Sequence, residues 1–275
     1  MPLYDLSYRR FEGPRSSRFR RSLALARSAA SLLLRRRSFL LLLAVCWIPA
    51  VVRAAQIYVA RQFPEAPEFF TITPDTWRDF LGQQVRFLPV VLVSLATGAS
   101  AIASDFASGA FTVYLSKPIS RFDYFLGKAI PVAGAVCAVT LAPALALLLL
   151  HLSLAPDFEL LSQAPWLPLA VTGYSLFLAL YFTLSVLAVS SLCRSGRVAG
   201  AGFAALVFGS EIVARTATSR TFGAPRFLSL NGSAIDAGRW FFGDSALASL
   251  VFMVGVMVLS ALVLDRRLRS NEGAS

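Results

Sequence analysis

The chain has 275 residues, 56% hydrophobic and 15% charged, with a net charge of +11 and a pI near 10.4. Soluble domains carry about 25% charged residues, so this composition excludes an ordinary water-soluble enzyme and points to a multi-span membrane protein. The basic excess is unevenly placed and accompanies long apolar runs, so it reads as membrane orientation. It does not read as nucleic-acid binding, because the 22 Phe are not interleaved with basic residues as base-stacking platforms require.

Ten arginines lie within residues 1–37. Between Ser16 and Leu34, Phe19, Leu23, Ala26, Ala30 and Leu33 recur at helical spacing, flanked by Arg18, Arg20, Arg21 and Arg27. The pattern predicts an interfacial amphipathic helix on an anionic leaflet, each basic residue contributing ~1 kcal/mol there. A helix packed on a protein partner has the same pattern, and the two roles are compatible. Arg36-Arg37-Ser38-Phe39-Leu40 also has the form of a twin-arginine export signal. A removed signal suits poorly a chain that remains membrane-bound behind it, so a retained anchor is the simpler reading.

The first span is expected at Ser38 to Ala60, kinked by Pro49, with Arg53 in its outer half. An external segment follows, in which Thr73-Pro74-Asp75 is a helix start. Trp77, Phe80 and Leu81 would face the membrane surface. The second span, Val85 to Ser104, is rich in small residues that permit close helix approach, among them Gly98 and Ala99. The third is Ala129 to Leu154, with Pro131 and Pro143. The fourth is Leu167 to Leu192, followed by a tight basic turn, Cys193 to Arg197. The fifth, Val198 to Ala214, ends near Glu211. An outer loop from Arg215 to Asp244 contains Gly232, Gly238 and Gly243, which argue against a long helix. The sixth, Ser245 to Leu264, leads into a basic tail. Six spans of ~17–26 residues suit a hydrocarbon core about 30 Å thick. The fold class is therefore all-α and polytopic. A basic arm occupies residues 1–37, the transmembrane domain 38–264, with outer loops at 61–84 and 215–244, and the tail 265–275.

Orientation follows from the basic residues. The arm holds ten, the loop after the second span holds Lys117, Arg121 and Lys128, the short turn Arg194 and Arg197, and the tail Arg266, Arg267 and Arg269. Placing those eighteen of 26 on one side puts both termini in the cytoplasm.

That loop, 104–128, is the most articulated stretch of the chain. Asp105 marks where lipid ends. Gly109 permits a tight turn. Pro118 breaks any helix near Ser116 to Pro118. Ser120 can cap the next helix with Asp123 in its first turn, and Gly127-Lys128 marks re-entry into the membrane. The succession Asp105, Gly109, Leu115, Ser116, Pro118, Ser120, Arg121, Tyr124, Gly127, Lys128 resembles the loop after the second span in ABC-2 type ABC transporter permeases. The resemblance implies a six-span permease subunit, working as an exporter with a second permease subunit, identical or related. It also implies a coupling loop that contacts a separate ATPase subunit, with Lys117, Arg121 and Asp123 making polar contacts. ATP and Mg would be held by that partner, and the setting would be a bacterial or archaeal cytoplasmic membrane.

The residues themselves offer little other chemistry. There is no GxxxxGK[ST] phosphate loop, so ATP hydrolysis by that route is not expected in this chain, which is not expected to be an enzyme. His151, the one histidine, and Ser153 do not share a helix face, so an interfacial histidine is expected. An intramembrane enzyme lacks its His/Asp/Glu cluster. Cys46, Cys137 and Cys193 have neither metal nor disulfide spacing. Asn231-Gly232-Ser233 is a glycosylation sequon that a prokaryotic chain would not use. Arg53 and Glu211 lie at similar depth in the first and fifth spans, ~22 Å and ~20 Å from their starts. This suggests an intramembrane ion pair, either a gate or a static bridge. An ion-coupled carrier or channel is the alternative function, and only Glu211 offers it a carboxylate within a span.

Overall fold

The computed structural model describes residues 18–62, 72–110, 120–154, 162–220 and 228–270, and every regular element among them is a helix. There are twelve among the described residues. They are α1 (Arg18–Leu34), α2 (Arg37–Cys46), α3 (Ile48–Gln62), α4 (Asp75–Arg86), α5 (Pro89–Gly98), α6 (Ala103–Ala107), α7 (Arg121–Val139), α8 (Leu141–Leu154), α9 (Leu167–Leu192), α10 (Gly196–Arg220), α11 (Leu230–Phe241) and α12 (Leu247–Ser270).

Among the described residues, six stretches are long and apolar enough to cross a membrane: Arg37–Ala60, Pro89–Ala107, Arg121–Leu154, Leu167–Leu192, Gly196–Thr216 and Leu247–Arg269. The fourth, α9, is the most buried and packs against α5, α7, α10 and α12. Its inward face carries Tyr174, Leu178, Tyr181, Phe182 and Val186, all essentially sealed from solvent. The first span turns Leu40, Leu41, Val45, Val51 and Val52 outward, as a lipid-facing helix must when no water competes for its surface.

Prolines explain where spans bend. A proline lacks the amide proton and clashes with the carbonyl four residues back. Pro49 accordingly ends α2 at Cys46, and Pro143 ends α7 at Val139. The two breaks face each other: the Trp47 indole Nε1–H donates to the Ala138 carbonyl at 3.0 Å.

Two short helices, α4 and α11, lie at the end of the bundle opposite the start of α7. The α4 helix buries Trp77, Phe80, Leu81 and Val85 and packs on α11. It ends at a corner where Leu88 takes a left-handed φ of 73° before Pro89 starts the second span. The α11 helix occupies the loop whose glycines argued against a long helix. It runs for twelve residues. Gly238 serves packing there, since a Cβ on it would lie 3.0 Å from the Tyr174 ring, whereas Gly243, with φ of 100°, lies in open space just past the helix end. Asn231 and Ser233 of the sequon are buried in its first turns.

Both α1 and the end of α12 lie beside the start of α7, where Leu25 and Leu268 meet Tyr124. The α1 helix packs along α7, with Ser22 and Ala26 buried. Part of its apolar stripe thus faces protein: Ala26 is buried, while Ala30 and Leu33 are half-buried. Leu23, counted in the stripe, is 47% exposed, and the Phe19 side chain lies outside the described residues.

Candidate functional site

The site is the collar where the second span ends, at Ala107, and the third begins, at Arg121. Lys117 and Pro118 lie outside the described residues. Gly109 approaches them with φ of 68°, a left-handed value natural to glycine. On the other side Ser120 caps α7. Its hydroxyl accepts from the Asp123 amide at 3.1 Å, and the Asp123 carboxylate accepts from the Ser120 amide at 3.1 Å. This reciprocal capping box engages Asp123, which is 4% exposed. Asp123 is therefore engaged as the cap of α7.

Asp105 and Lys128 were expected to mark the membrane boundary on either side of the loop. The structure brings them together. Lys128 Nζ sits 2.7 Å from Asp105 Oδ2, and both side chains are largely buried. The Tyr124 hydroxyl donates to the same oxygen at 2.8 Å. Tyr124 and Lys128 are four residues apart on α7 and so share a face, and the ammonium lies 5.7 Å from the centre of the tyrosine ring. A carboxylate from α6 is thus gripped by two donors from α7, closing the loop at its base. Opposite charges flanking the loop were the one sequence signal for this contact.

Around Tyr124, itself fully buried, gather Leu268 from α12, Leu25 from α1, Phe106 and Phe125. Gly127 is what lets α1 in. A Cβ there would lie 2.4 Å from Leu25 Cδ2 and 2.9 Å from its Cβ, so any side chain would push the helix away. The first and last described helices therefore meet the two ends of the loop at one tyrosine.

A second device lies just inside the collar. The second span is not continuous, because α5 stops at Gly98 and α6 starts at Ala103. Buried backbone groups at a break must find other partners. Ser190 of α9 supplies them. Its Oγ accepts from the Ile102 and Ala103 amides, both at 3.1 Å, and donates to the Ala99 carbonyl at 2.8 Å. Gly98 and Gly196 allow this approach, since Cβ atoms there would lie 2.4 Å from Val186 and 2.8 Å from the Ser100 Cβ. Sequence reading missed Ser190, because one serine in an apolar helix carries no local signal.

The intramembrane pair between Arg53 and Glu211 does not form. Arg53 Nη1 donates to Gln56 Oε1 at 3.1 Å beside Trp77 and Phe80. Glu211 accepts from Arg215 Nε at 2.9 Å and from the Ser229 hydroxyl, which caps α11. Equal depth along two helices does not make them neighbours: α3 packs on α8 and α4, whereas α10 packs on α9 and α11. His151, expected at an interface, is buried edge-on against Trp77, ring centres 5.6 Å apart. The three cysteines are free thiols.

Six crossings, α1 and α12 at the same end, and an interrupted connector clamped at its base define a multi-pass membrane protein of permease architecture. Residues 23–224 match the family model for "ABC-2 family transporter protein", and the chain belongs to that family. No curated protein matches the sequence.

Proposed function

We propose that this chain is the membrane-spanning subunit of an ATP-driven exporter, coupled through residues 104–128 to a separate ATPase subunit. The observation that carries the reading is the Asp105–Lys128–Tyr124 clamp. A loop that receives force must not unravel when pushed, and a buried ion pair joining its two ends makes α6 and the start of α7 move as one body. The break at Gly98 to Ala103 gives that body a place to pivot, with Ser190 as the fixed point on α9.

In this scheme the end bearing the clamp faces the cytoplasm of a bacterium or archaeon, in keeping with eighteen of 26 basic residues falling there. The ATPase partner binds ATP and Mg, a second permease subunit completes the path, and lipids surround both. Asp123 is held in its cap and Asp105 and Lys128 in the clamp, so the polar contact to the ATPase is assigned to Arg121 and Lys117. The carrier alternative is weakened, because its one carboxylate, Glu211, already binds Arg215 and Ser229.

The test has two parts. An ATPase subunit should co-purify with the wild-type chain through detergent. Arg121→Glu should then separate ATP hydrolysis from transport while membrane insertion stays normal. Intact coupling in that variant, expressed at normal levels, counts against the assignment.

A further inference from the structure

The α1 helix has three faces. One, with Ser22, Leu25 and Ala26, lies against α7. The opposite face and the elbow into α2 carry Arg27, Arg35, Arg36 and Arg37, all exposed. Between these faces Leu23, Leu32 and Leu34 are 47%, 62% and 57% exposed. Among the described residues, none of the four arginines has a carboxylate within ion-pair distance or any other polar side-chain contact. Nor is a described carboxylate at this end left to meet them: Asp105 holds Lys128, Asp123 holds its cap and Asp265 holds Arg269.

Bare guanidiniums beside exposed leucines, on a helix at the start of a membrane span, match one surface chemically. Phosphate groups take the fork-shaped donors of arginine, and acyl chains take the leucines. We propose that Arg27 and the Arg35–Arg37 elbow form a binding site for anionic phospholipid headgroups, and that lipid held there keeps α1 seated on Gly127. Through the contact of Leu25 with Gly127, the lipid composition of the bilayer would set how firmly the loop end is braced. This inference shares with the exporter reading only the side on which the elbow lies. Nanodiscs with two alike leaflets remove even that dependence, so either reading can fail alone.

The experiment uses the full chain in phosphatidylcholine nanodiscs containing spin-labelled phosphatidylglycerol or spin-labelled phosphatidylcholine. The ratio of motionally restricted label measures selectivity for the anionic headgroup. The wild type should prefer phosphatidylglycerol, and Arg35→Gln/Arg36→Gln/Arg37→Gln should lower that preference about fivefold or more, the worth of one such charge near the surface. The triple lysine variant should keep most of it. The pair Arg194→Gln/Arg197→Gln, also basic and exposed at this end, should change it little. Hydrogen exchange supplies a second readout: amides of residues 121–128 should exchange more slowly when phosphatidylglycerol is present, and the glutamine triple should lose that protection. Unchanged selectivity in the glutamine triple overturns the proposal. So does an equal loss in the Arg194/Arg197 pair, or loss of a co-purifying protein with lipid selectivity intact, which would assign the elbow to a protein partner.

Discussion

The two ends of the bundle are held by different physics. At the loop end, contacts are polar and directional: the Asp105–Lys128 pair, the Tyr124 hydroxyl and the three hydrogen bonds of Ser190. At the far end, α4 and α11 lie across the spans and are held by aromatic fit together with neutral hydrogen bonds: Trp77 lies against His151, Phe241 is tilted on Tyr174, Gly238 lies under the same tyrosine, and the Ala234 carbonyl of α11 accepts from the Tyr174 hydroxyl at 2.7 Å. The ion pairs of Arg78 with Asp75 and Asp244 sit at the rim. Apolar contact is non-directional and tolerates small slips. A buried ion pair has one good geometry and a heavy penalty for being half made.

The largest effect is expected from breaking the clamp on one side only. Asp105→Ala leaves a buried ammonium without its counter-charge, and such losses cost about 3–5 kcal/mol. Adding Lys128→Met to the same chain should recover most of it, since an apolar pair of similar volume restores a neutral core. Thermal unfolding of the two single variants and the double in detergent gives the coupling directly. Strictly additive losses would mean that the pair contributes nothing and that the two ends of the molecule do not differ in this way.

Ser190→Ala comes next. It leaves two amides and one carbonyl of the second span without their partner, at about 2 kcal/mol or more. Ser190→Thr keeps the hydroxyl and should lose less. The informative readout is local: hydrogen exchange at residues 99–103 should accelerate before global unfolding does. Uniform acceleration along the second span would show that the break is not a separate pivot.

How far the sequence reveals these devices depends on the range over which each acts. The capping box of Ser120 and Asp123 is local and was readable three residues at a time. The six crossings are averages over about twenty residues and were readable too, although the third starts at Arg121 instead of Ala129, because Ser120 caps a helix before lipid is reached. The clamp joins residues whose charges flagged them but whose pairing depends on the turn between. Ser190 acts across 88 residues on Ile102, through a contact that no periodicity announces. Arg53 and Glu211 show the opposite failure: a depth argument supplied a partner on a helix that packs elsewhere in the bundle.

The glycine in the second span sharpens the comparison. A methyl added at Gly98 would lie 2.4 Å from Val186 Cγ1 and 3.3 Å from its Cβ. Valine is stiff about χ1 and cannot swing aside. Gly98→Ala should cost about 1–3 kcal/mol, and Val186→Ala in the same chain should return part of it. At Gly238 the obstacle is the Tyr174 ring at 3.0 Å, where a shift of a few tenths of an ångström suffices. Gly238→Ala should therefore cost less than Gly98→Ala when both are followed by thermal unfolding.

The smallest effect belongs to the far rim. Arg78 reaches Asp75 at 3.0 Å and Asp244 at 3.2 Å, but both carboxylates are more than half exposed. Water and salt screen such pairs, and their net worth is about 0–1 kcal/mol. Arg78→Ala should accordingly shift the unfolding midpoint by a degree or two at low ionic strength, and less in high salt. Asp105→Ala should keep most of its effect in high salt, because its partner is out of reach of counter-ions. A salt titration of the two variants side by side tests whether one end of this bundle holds by buried charge and the other by shape. Equal salt sensitivity would erase the distinction.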